Sequence, residues 1–206
     1  MTELTFDDAS YTWLLFWITY WVSGIVLTYI NRKERPPIKL FEVITSAVMN
    51  MGWTFIGIVI VHYLPIRIIN DYNIIIKYLL SILIAEVWFY HAHIMVHHPQ
   101  LYQKIHKQHH EFTNNVYALT ALYCSGYEAV VCNLLSVSIG PLMLGIRGWY
   151  LYFWIILISF NAVFSHSGMV IDWVNNGSHD LHHASYTYNY GTIGLFDWIY
   201  GTYKSQ

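Results

Sequence analysis

Twelve histidines occur in this chain of 206 residues, and eleven of them lie in two short regions. Seven lie between His91 and His110, and four lie between His166 and His183. Random placement in so hydrophobic a chain would not give this concentration. Imidazole is a ligand for zinc, copper, iron and nickel, so the pattern raises the question of a metal site.

Three clusters have spacings that would bring rings together. His93 and His97 are four residues apart, which puts both rings on one face of a helix. The other two clusters each have the spacing i, i+3, i+4; they are His106, His109 and His110, then His179, His182 and His183. A single pair would be a weak signal, but three clusters in this order are a strong one.

The number of rings indicates two ions, because one structural zinc takes four ligands. The alternative is a solvated, interfacial or proton-sensing group of histidines, which would give so many imidazoles no evident structural purpose. The lack of a cysteine ligand pair argues against a zinc finger. The predicted metal ligands are His93, His97, His106, His109, His110, His166, His179, His182 and His183.

The other histidines and two acids need separate interpretations. His166 could instead hydrogen-bond a ligand or serve in packing. We expect His98 at the rim of the site, His91 in a structural or interfacial position, and His62 satisfied in the interior.

Glu86 lies seven residues before His93 in an apolar stretch, where a carboxylate is costly and usually functional. We predict that it hydrogen-bonds a ligand histidine and so fixes the tautomer. The alternative is a protonated acid that caps a neighbouring backbone. Asp180 is predicted to act in the same way as Glu86, against a plain solvated position.

The elements that must position these residues are membrane helices. The chain is 56% hydrophobic and 11% charged, whereas soluble domains carry about 25% charged residues. The stretch from Tyr11 to Ile30 is uncharged and long enough to cross a bilayer. The other apolar stretches are Val43 to Leu64, Ile74 to His97, Ala129 to Ile146 and Trp149 to Val170.

These stretches predict an all-α membrane bundle of about four spans, with the last two stretches as a hairpin that Pro141 kinks. Residues 1–73 would hold N-terminal spans, and residues 74–206 would hold all three histidine clusters. The acidic N-terminus does not resemble a signal peptide, so we expect the first span to be retained. The chain has no basic block that would suggest nucleic acid.

Basic residues predict the orientation. The segment after the first span contains Arg32, Lys33, Arg35 and Lys39, and such segments face the cytoplasm. Counting spans from there puts every histidine cluster on the cytoplasmic side. The sequon at Asn176 would then face the cytoplasm and stay unmodified. Cys124 and Cys132 are expected to be reduced, because eight residues of helix would separate them by about 12 Å.

Three segments carry a resemblance to a known family: Trp88 to Phe112, His166 to Gly168, and His179 to Thr202. They resemble the fatty acid hydroxylase/sterol desaturase superfamily of membrane di-iron enzymes, in particular C-4 methylsterol oxidases and C-5 sterol desaturases. The resemblance covers more than half of the chain. One departure is Ile94, where many members have Arg directly after the first histidine.

The resemblance implies a helical membrane scaffold with a cytoplasmic, histidine-rich catalytic cap, and it makes residues 74–206 the catalytic domain. It implies two iron ions on the nine histidines and places Asn189 near the site. It implies O2 as oxidant, electrons from NAD(P)H through cytochrome b5 or a similar donor, and location in the endoplasmic reticulum. Zinc could replace iron in purified protein. The implied activity is hydroxylation or desaturation of a lipid, first of a sterol and second of a fatty acyl chain or sphingolipid.

Two other classes of protein compete with an enzyme. A catalytically inert membrane scaffold could keep zinc in the histidine site, although it would have no need for every ligand. A metal transporter would need polar or acidic residues deep within several spans, and Glu86 alone does not provide such a path.

Overall fold

The computed structural model describes residues 6–31, 39–63, 72–113, 116–171 and 177–205, and all regular structure in these ranges is helical. Four helices are long and apolar enough to cross a membrane: Asp8–Ile30, Leu40–Tyr63, Ile74–Val96 and Gly126–Met143. A fifth apolar helix, Trp149–Ser165, has 17 residues. The predicted all-α, multi-pass membrane bundle is therefore confirmed.

The α-helices in chain order are α1 Phe6–Ile30, α2 Leu40–Tyr63, α3 Ile74–Val96, α4 Pro99–Ile105, α5 Gly126–Glu128, α6 Leu135–Met143, α7 Trp149–Ser165, α8 Ser178–Ser185 and α9 Leu195–Tyr200. Two short 3-10 helices cover His109–Glu111 and Ala118–Leu122. α1 packs against α2 and α7, and α3 packs against α6.

The long helices expose large apolar side chains on their outer faces. Val22 is 60% exposed, Leu79 61% and Phe153 56%. Such faces would be unfavourable in water, but lipid tails are a suitable solvent for them. These helices therefore surround a core with their inner faces and present their outer faces to the bilayer.

The fourth span is interrupted by a π-helical segment, Ala129–Leu134, between α5 and α6. Pro141 lies further on, within α6. The chain then turns at Gly145 and Gly148, both with positive φ, and α7 begins. The Trp154 indole donates a hydrogen bond to the Val137 carbonyl, 2.9 Å away, so the predicted hairpin is present.

A buried loop, residues 116–124, runs between the spans before α5. Backbone groups buried away from water need partners, and polar side chains of the spans provide them. The Tyr20 hydroxyl donates to the Leu119 carbonyl at 2.5 Å. Asn50 Nδ2 donates to the carbonyls of Leu122 at 2.9 Å and Cys124 at 2.8 Å. The loop is thereby held inside the bundle, next to the histidines.

All three histidine clusters meet at one end of the bundle, where α3 and α7 end and α5 begins. Which side of the membrane this end faces stays a prediction, and Arg32, Lys33, Arg35 and Asn176 lie outside the described residues. Cys124 and Cys132 are free and buried, as predicted. Cys124 lies in the loop rather than on a helix shared with Cys132.

The contact of α3 with α6 is close at Gly140. A Cβ atom there would lie 2.7 Å from the Ser81 Cα, so a large side chain must push the helices apart. We expect Gly140→Leu to lower the free energy of unfolding by about 1–3 kcal/mol through overpacking, measured by thermal unfolding in detergent. Gly52→Ala is the control, since its Cβ would meet nothing within 4 Å; equal stability of both variants would contradict the prediction.

Candidate metal centre

The histidines form two groups, in each of which the ligand atoms lie within 4.8 Å of one another. The first group is His93, His97, His106, His110 and His182; the second is His109, His166, His179 and His183. All nine predicted ligands are present in these groups. Whether each of them binds metal stays a prediction that this geometry supports.

The spacing of the nitrogens fits metal ions. In the first group, His106 Nε2 lies 3.1 Å from that of His93 and 3.0 Å from those of His97 and His110. In the second, His179 Nε2 lies 2.9 Å from His166 and 3.1 Å from His183. Two nitrogens each about 2.1 Å from a shared ion lie about 3.0 Å apart at a right angle and about 3.4 Å apart at a tetrahedral angle.

The protons of three rings are fixed on the side away from these nitrogens. His93 Nδ1 donates to the Tyr190 carbonyl at 2.7 Å, His182 Nδ1 to the Tyr188 carbonyl at 2.7 Å, and His166 Nδ1 to the Ala162 carbonyl at 2.8 Å. A neutral imidazole carries one proton, so Nε2 of each ring presents a lone pair. Lone pairs 3 Å apart repel one another unless a cation lies between them.

Burial keeps the rings neutral. It lowers the pKa of His97 to about 2 and of His110 to about 3, with help from neighbouring imidazoles, and it lowers the pKa of His166 to about 4. The pKa values of His106, His109 and His183 are lowered for the same reasons. Neutral imidazole is the form that binds metal, so the site holds its histidines ready for ions.

The two HxxHH clusters are each divided between the groups. The second lies on one α-helix, as its spacing predicted, whereas the first does not. His106 ends α4, whereas His109 and His110 lie in the following 3-10 helix. This change of backbone sends His109 to the second group and His106 and His110 to the first. On α8, His182 joins the first group while His179 and His183 join the second.

Glu128 is a site residue that the sequence interpretation missed. It is 3% exposed, and its Oε2 lies 2.9 Å from His106 Nδ1 while its Oε1 lies 3.9 Å from His109 Nδ1. The signal available in the sequence was a carboxylate at the start of an apolar stretch, in the pattern Ser125-x-x-Glu128. That pattern is typical of a helix capping box and would not by itself have indicated a metal site.

Glu86 is fully buried, as expected of a functional acid, but its hydrogen bonds differ from the prediction. Its Oε2 accepts from the Thr192 amide at 2.6 Å, the Thr192 hydroxyl at 2.7 Å and the Ile193 amide at 3.0 Å. The carboxylate thus binds the C-terminal segment instead of a histidine ring. Glu86 therefore supports His93 indirectly, because the segment that it binds includes Tyr190, whose carbonyl accepts a hydrogen bond from His93.

Asp197, on α9, is a second buried carboxylate that binds this C-terminal segment, and the sequence analysis missed it as well. Its oxygens accept from the amides of Tyr190 and Gly191, both at 2.7 Å. A Cβ atom at position 191 would lie 2.5 Å from Glu86 Oε1 and 2.8 Å from Asp197 Oδ2. Only glycine therefore lets the backbone approach both acids, which gives a physical reason for Gly191 after Asn189 and Tyr190.

Asn189 and Asp180 occupy supporting positions. Asn189 has a φ of 58°, and its side chain donates to the Ser178 and Lys204 carbonyls and accepts from the Lys204 amide. It joins Lys204 to the start of α8, the helix that contains His179, His182 and His183. Asp180 is half-buried in the first turn of α8, and its contact with a ligand histidine stays a prediction.

The remaining histidines lie apart from the two groups. His98 is exposed and caps α4, with its Nδ1 accepting from the Gln100 amide. His91 is exposed and contacts the Val87 carbonyl at 2.7 Å. His62 is buried and contacts the Ile58 carbonyl at 2.9 Å.

Fold and site together define a helical membrane protein with a histidine-lined site that could hold metal ions. A model of the fatty acid hydroxylase family matches residues 78–202, more than half of the chain. The chain therefore belongs to the fatty acid hydroxylase family, within the fatty acid hydroxylase/sterol desaturase superfamily. No solved structure matches it.

Curated relatives carry several names. The chain is 37% identical over 121 residues to human fatty acid hydroxylase domain-containing protein 2, covering 58% of this chain and 36% of the relative. It is 34% identical to fatty acid hydroxylase ahd1 of Mycosarcoma maydis, over 65% of this chain and 35% of the relative. The chain is 29% identical to methylsterol monooxygenase erg25B of Aspergillus fumigatus, over 53% of this chain and 41% of the relative. The matched part thus spans about a third to two fifths of these relatives.

The lowered pKa values predict acid sensitivity of the metal-free protein. Below the ordinary histidine pKa of about 6.5 the unfolded chain takes up protons that His97, His110 and His166 in the fold do not. The free energy of unfolding should be highest above pH 6.5 and should fall toward pH 4, by at most about 1.4 kcal/mol per pH unit for each ring. Chemical denaturation across this range measures the slope. A flat profile of unfolding free energy against pH would contradict the prediction.

The close approach at Gly191 predicts a second effect. Gly191→Ala should displace the segment that holds the His93 and His182 rings and lower metal affinity about 10–100-fold, the effect typical of losing a partner that orients a ligand. Metal titration of the purified, stripped protein measures it. Gly52→Ala serves as the matched control, and equal affinity in the two variants would show that the segment does not orient the rings.

Proposed function

We propose that the chain is an O2-dependent di-iron oxidoreductase that hydroxylates or desaturates a C–H bond of a membrane lipid. The observation that carries the proposal is the convergence of nine neutral imidazoles, in two groups, at one end of a membrane bundle. Residues 74–206 would form the catalytic domain, and residues 1–73 would supply N-terminal spans. Family membership supports oxidative lipid chemistry in general.

The residues of the chain have separable tasks in such a reaction. The first group, His93, His97, His106, His110 and His182, would hold one iron, and the second, His109, His166, His179 and His183, would hold the other. Bound iron would supply the activation of O2 and the oxidation of the C–H bond. The backbone carbonyls of Tyr188, Tyr190 and Ala162 hold the Nδ1 protons and so orient three rings. Seven of the nine rings are buried, which keeps bulk water from them, whereas His97 and His179 are half-buried.

A sterol is the proposed substrate, because relatives include proteins named methylsterol monooxygenase. A fatty acyl chain or sphingolipid is the second candidate, supported by relatives named fatty acid hydroxylase. The position of the site at the end of apolar helices suits a substrate that stays dissolved in the bilayer. We further propose electron supply from NAD(P)H through cytochrome b5 or a similar carrier, and a cytoplasmic face of the endoplasmic reticulum.

An inert metal-binding scaffold is the principal rival. A scaffold needs a filled site but no redox-active metal, whereas the enzyme needs iron and a lipid product. Ile94, where many members of the superfamily have Arg, gives this rival some support, and it is 39% exposed. The completeness of both histidine groups favours the enzyme.

The decisive experiment combines metal content with lipid analysis. The detergent-purified chain should contain about two irons, and cells that express it should accumulate a hydroxylated or desaturated sterol. His109→Ala/His182→Ala, which removes one ring from each group, should abolish the product. Tightly bound metal without any lipid change would favour the scaffold, and absence of stoichiometric metal would refute the proposal.

A further inference from the structure

Glu128 lies between the two histidine groups and faces both of them. Its Oε2 is 2.9 Å from Nδ1 of His106, which belongs to the first group, and its Oε1 is 3.9 Å from Nδ1 of His109, which belongs to the second. Neither approach is aligned as a hydrogen bond, since among the described residues Glu128 Oε2 and both Nδ1 atoms have no hydrogen-bond partner. One buried carboxyl group therefore lies beside a ring of each group, next to polar atoms that still lack partners.

This contact differs in kind from those of His93, His166 and His182. Those three rings give their Nδ1 protons to neutral backbone carbonyls. The Nδ1 of His106 faces the Glu128 carboxyl group instead, and a carboxylate that accepts its proton would orient the ring and make its Nε2 a more electron-rich ligand. Because His106 Nε2 lies 3.0–3.1 Å from the Nε2 atoms of His93, His97 and His110, this ring is central to its group.

The electrostatics of a filled site also require an anion. Neutral imidazoles bring no charge, so two divalent cations would leave about four positive charges in a buried region. Opposite charges in such a region interact more strongly than in water, and a carboxylate with no cation nearby would be costly to bury. Glu128 is 3% exposed, and bound cations give a reason for its position.

The local backbone holds the carboxylate in place. The Ser125 hydroxyl accepts a hydrogen bond from the Glu128 amide at 3.2 Å, which completes one half of a capping box. The π-helical segment begins at the next residue, Ala129, and such segments occur frequently at functional sites. The acid is thus set at the start of a membrane span, directly beneath the histidines.

We propose that Glu128 is a positioning residue shared by both metal sites, so that the two ions are bound as a unit. Its carboxylate orients His106, attracts His109 and offsets the charge of both ions. This inference rests on the proposed function only in requiring that the chain binds two metal ions. It predicts that a change at one residue lowers the affinity of both groups together.

The test is an anaerobic titration of the metal-stripped, detergent-purified full chain with Co²⁺, whose visible absorption reports ligand geometry. Glu128→Gln keeps the size of the side chain and removes its charge, and we expect both ions to bind about 10–100-fold more weakly, with altered spectra. Glu111→Gln is the matched control. Glu111 follows His110 directly, but its carboxylate binds Lys39 and the Tyr123 hydroxyl, so wild-type affinity is expected.

Glu128→Asp extends the test, because it keeps the charge but shortens the side chain. We expect affinities between those of the wild type and Glu128→Gln, and circular dichroism of each metal-free variant monitors folding. If Glu128→Gln does not fold, wild-type affinity and spectra in Glu128→Asp would overturn the inference. If Glu128→Gln folds, loss of one ion only, or wild-type binding of both, would overturn it. Failure of the wild type to bind metal would instead refute the proposed function.

Discussion

The convergence of unprotonated Nε2 atoms is the constraint on which the rest of the structure depends. Nine imidazoles cannot lie this close as cations, and as neutral rings they present lone pairs to one another. The arrangement therefore needs two things: burial that lowers the histidine pKa values, and partners that hold protons on the opposite nitrogens. The carbonyls of Ala162, Tyr188 and Tyr190 are those partners for three rings, and the Glu128 carboxyl group lies 2.9 Å from the Nδ1 of His106.

The C-terminal segment follows from the same requirement. Two of these three carbonyls lie within residues 188–190, a stretch without helix or strand. Such a stretch is a poor support for a ring unless it is itself fixed. Asp197 accepts the amide proton of Tyr190, and Glu86 accepts that of Thr192, two residues further on. Both acids are fully buried, and Gly191 allows their approach, so two buried carboxylates hold the backbone that orients the rings.

The buried loop before α5 follows the same principle inside the bundle. Irregular backbone at membrane depth is tolerated only where protein groups satisfy it, and Tyr20 and Asn50 do so. This loop leads from the second histidine cluster to Glu128, so its position decides whether the carboxylate meets the rings. The N-terminal spans therefore contribute to the metal centre although no ligand lies on them.

The sequence by itself determined the helical spans, the hairpin and the set of clustered histidines, because these depend on local spacing and composition. It did not determine how the histidines divide, since the split at His109 arises from a change of backbone between α4 and the next helix. The sequence analysis predicted a histidine as the partner of Glu86. Its actual partner is the backbone at Thr192, more than 100 residues away in the chain, and helix spacing carries no information about such a contact. Glu128, 22 residues from His106 in sequence, and Asp197 were missed for the same reason: only tertiary packing brings such acids to their partners.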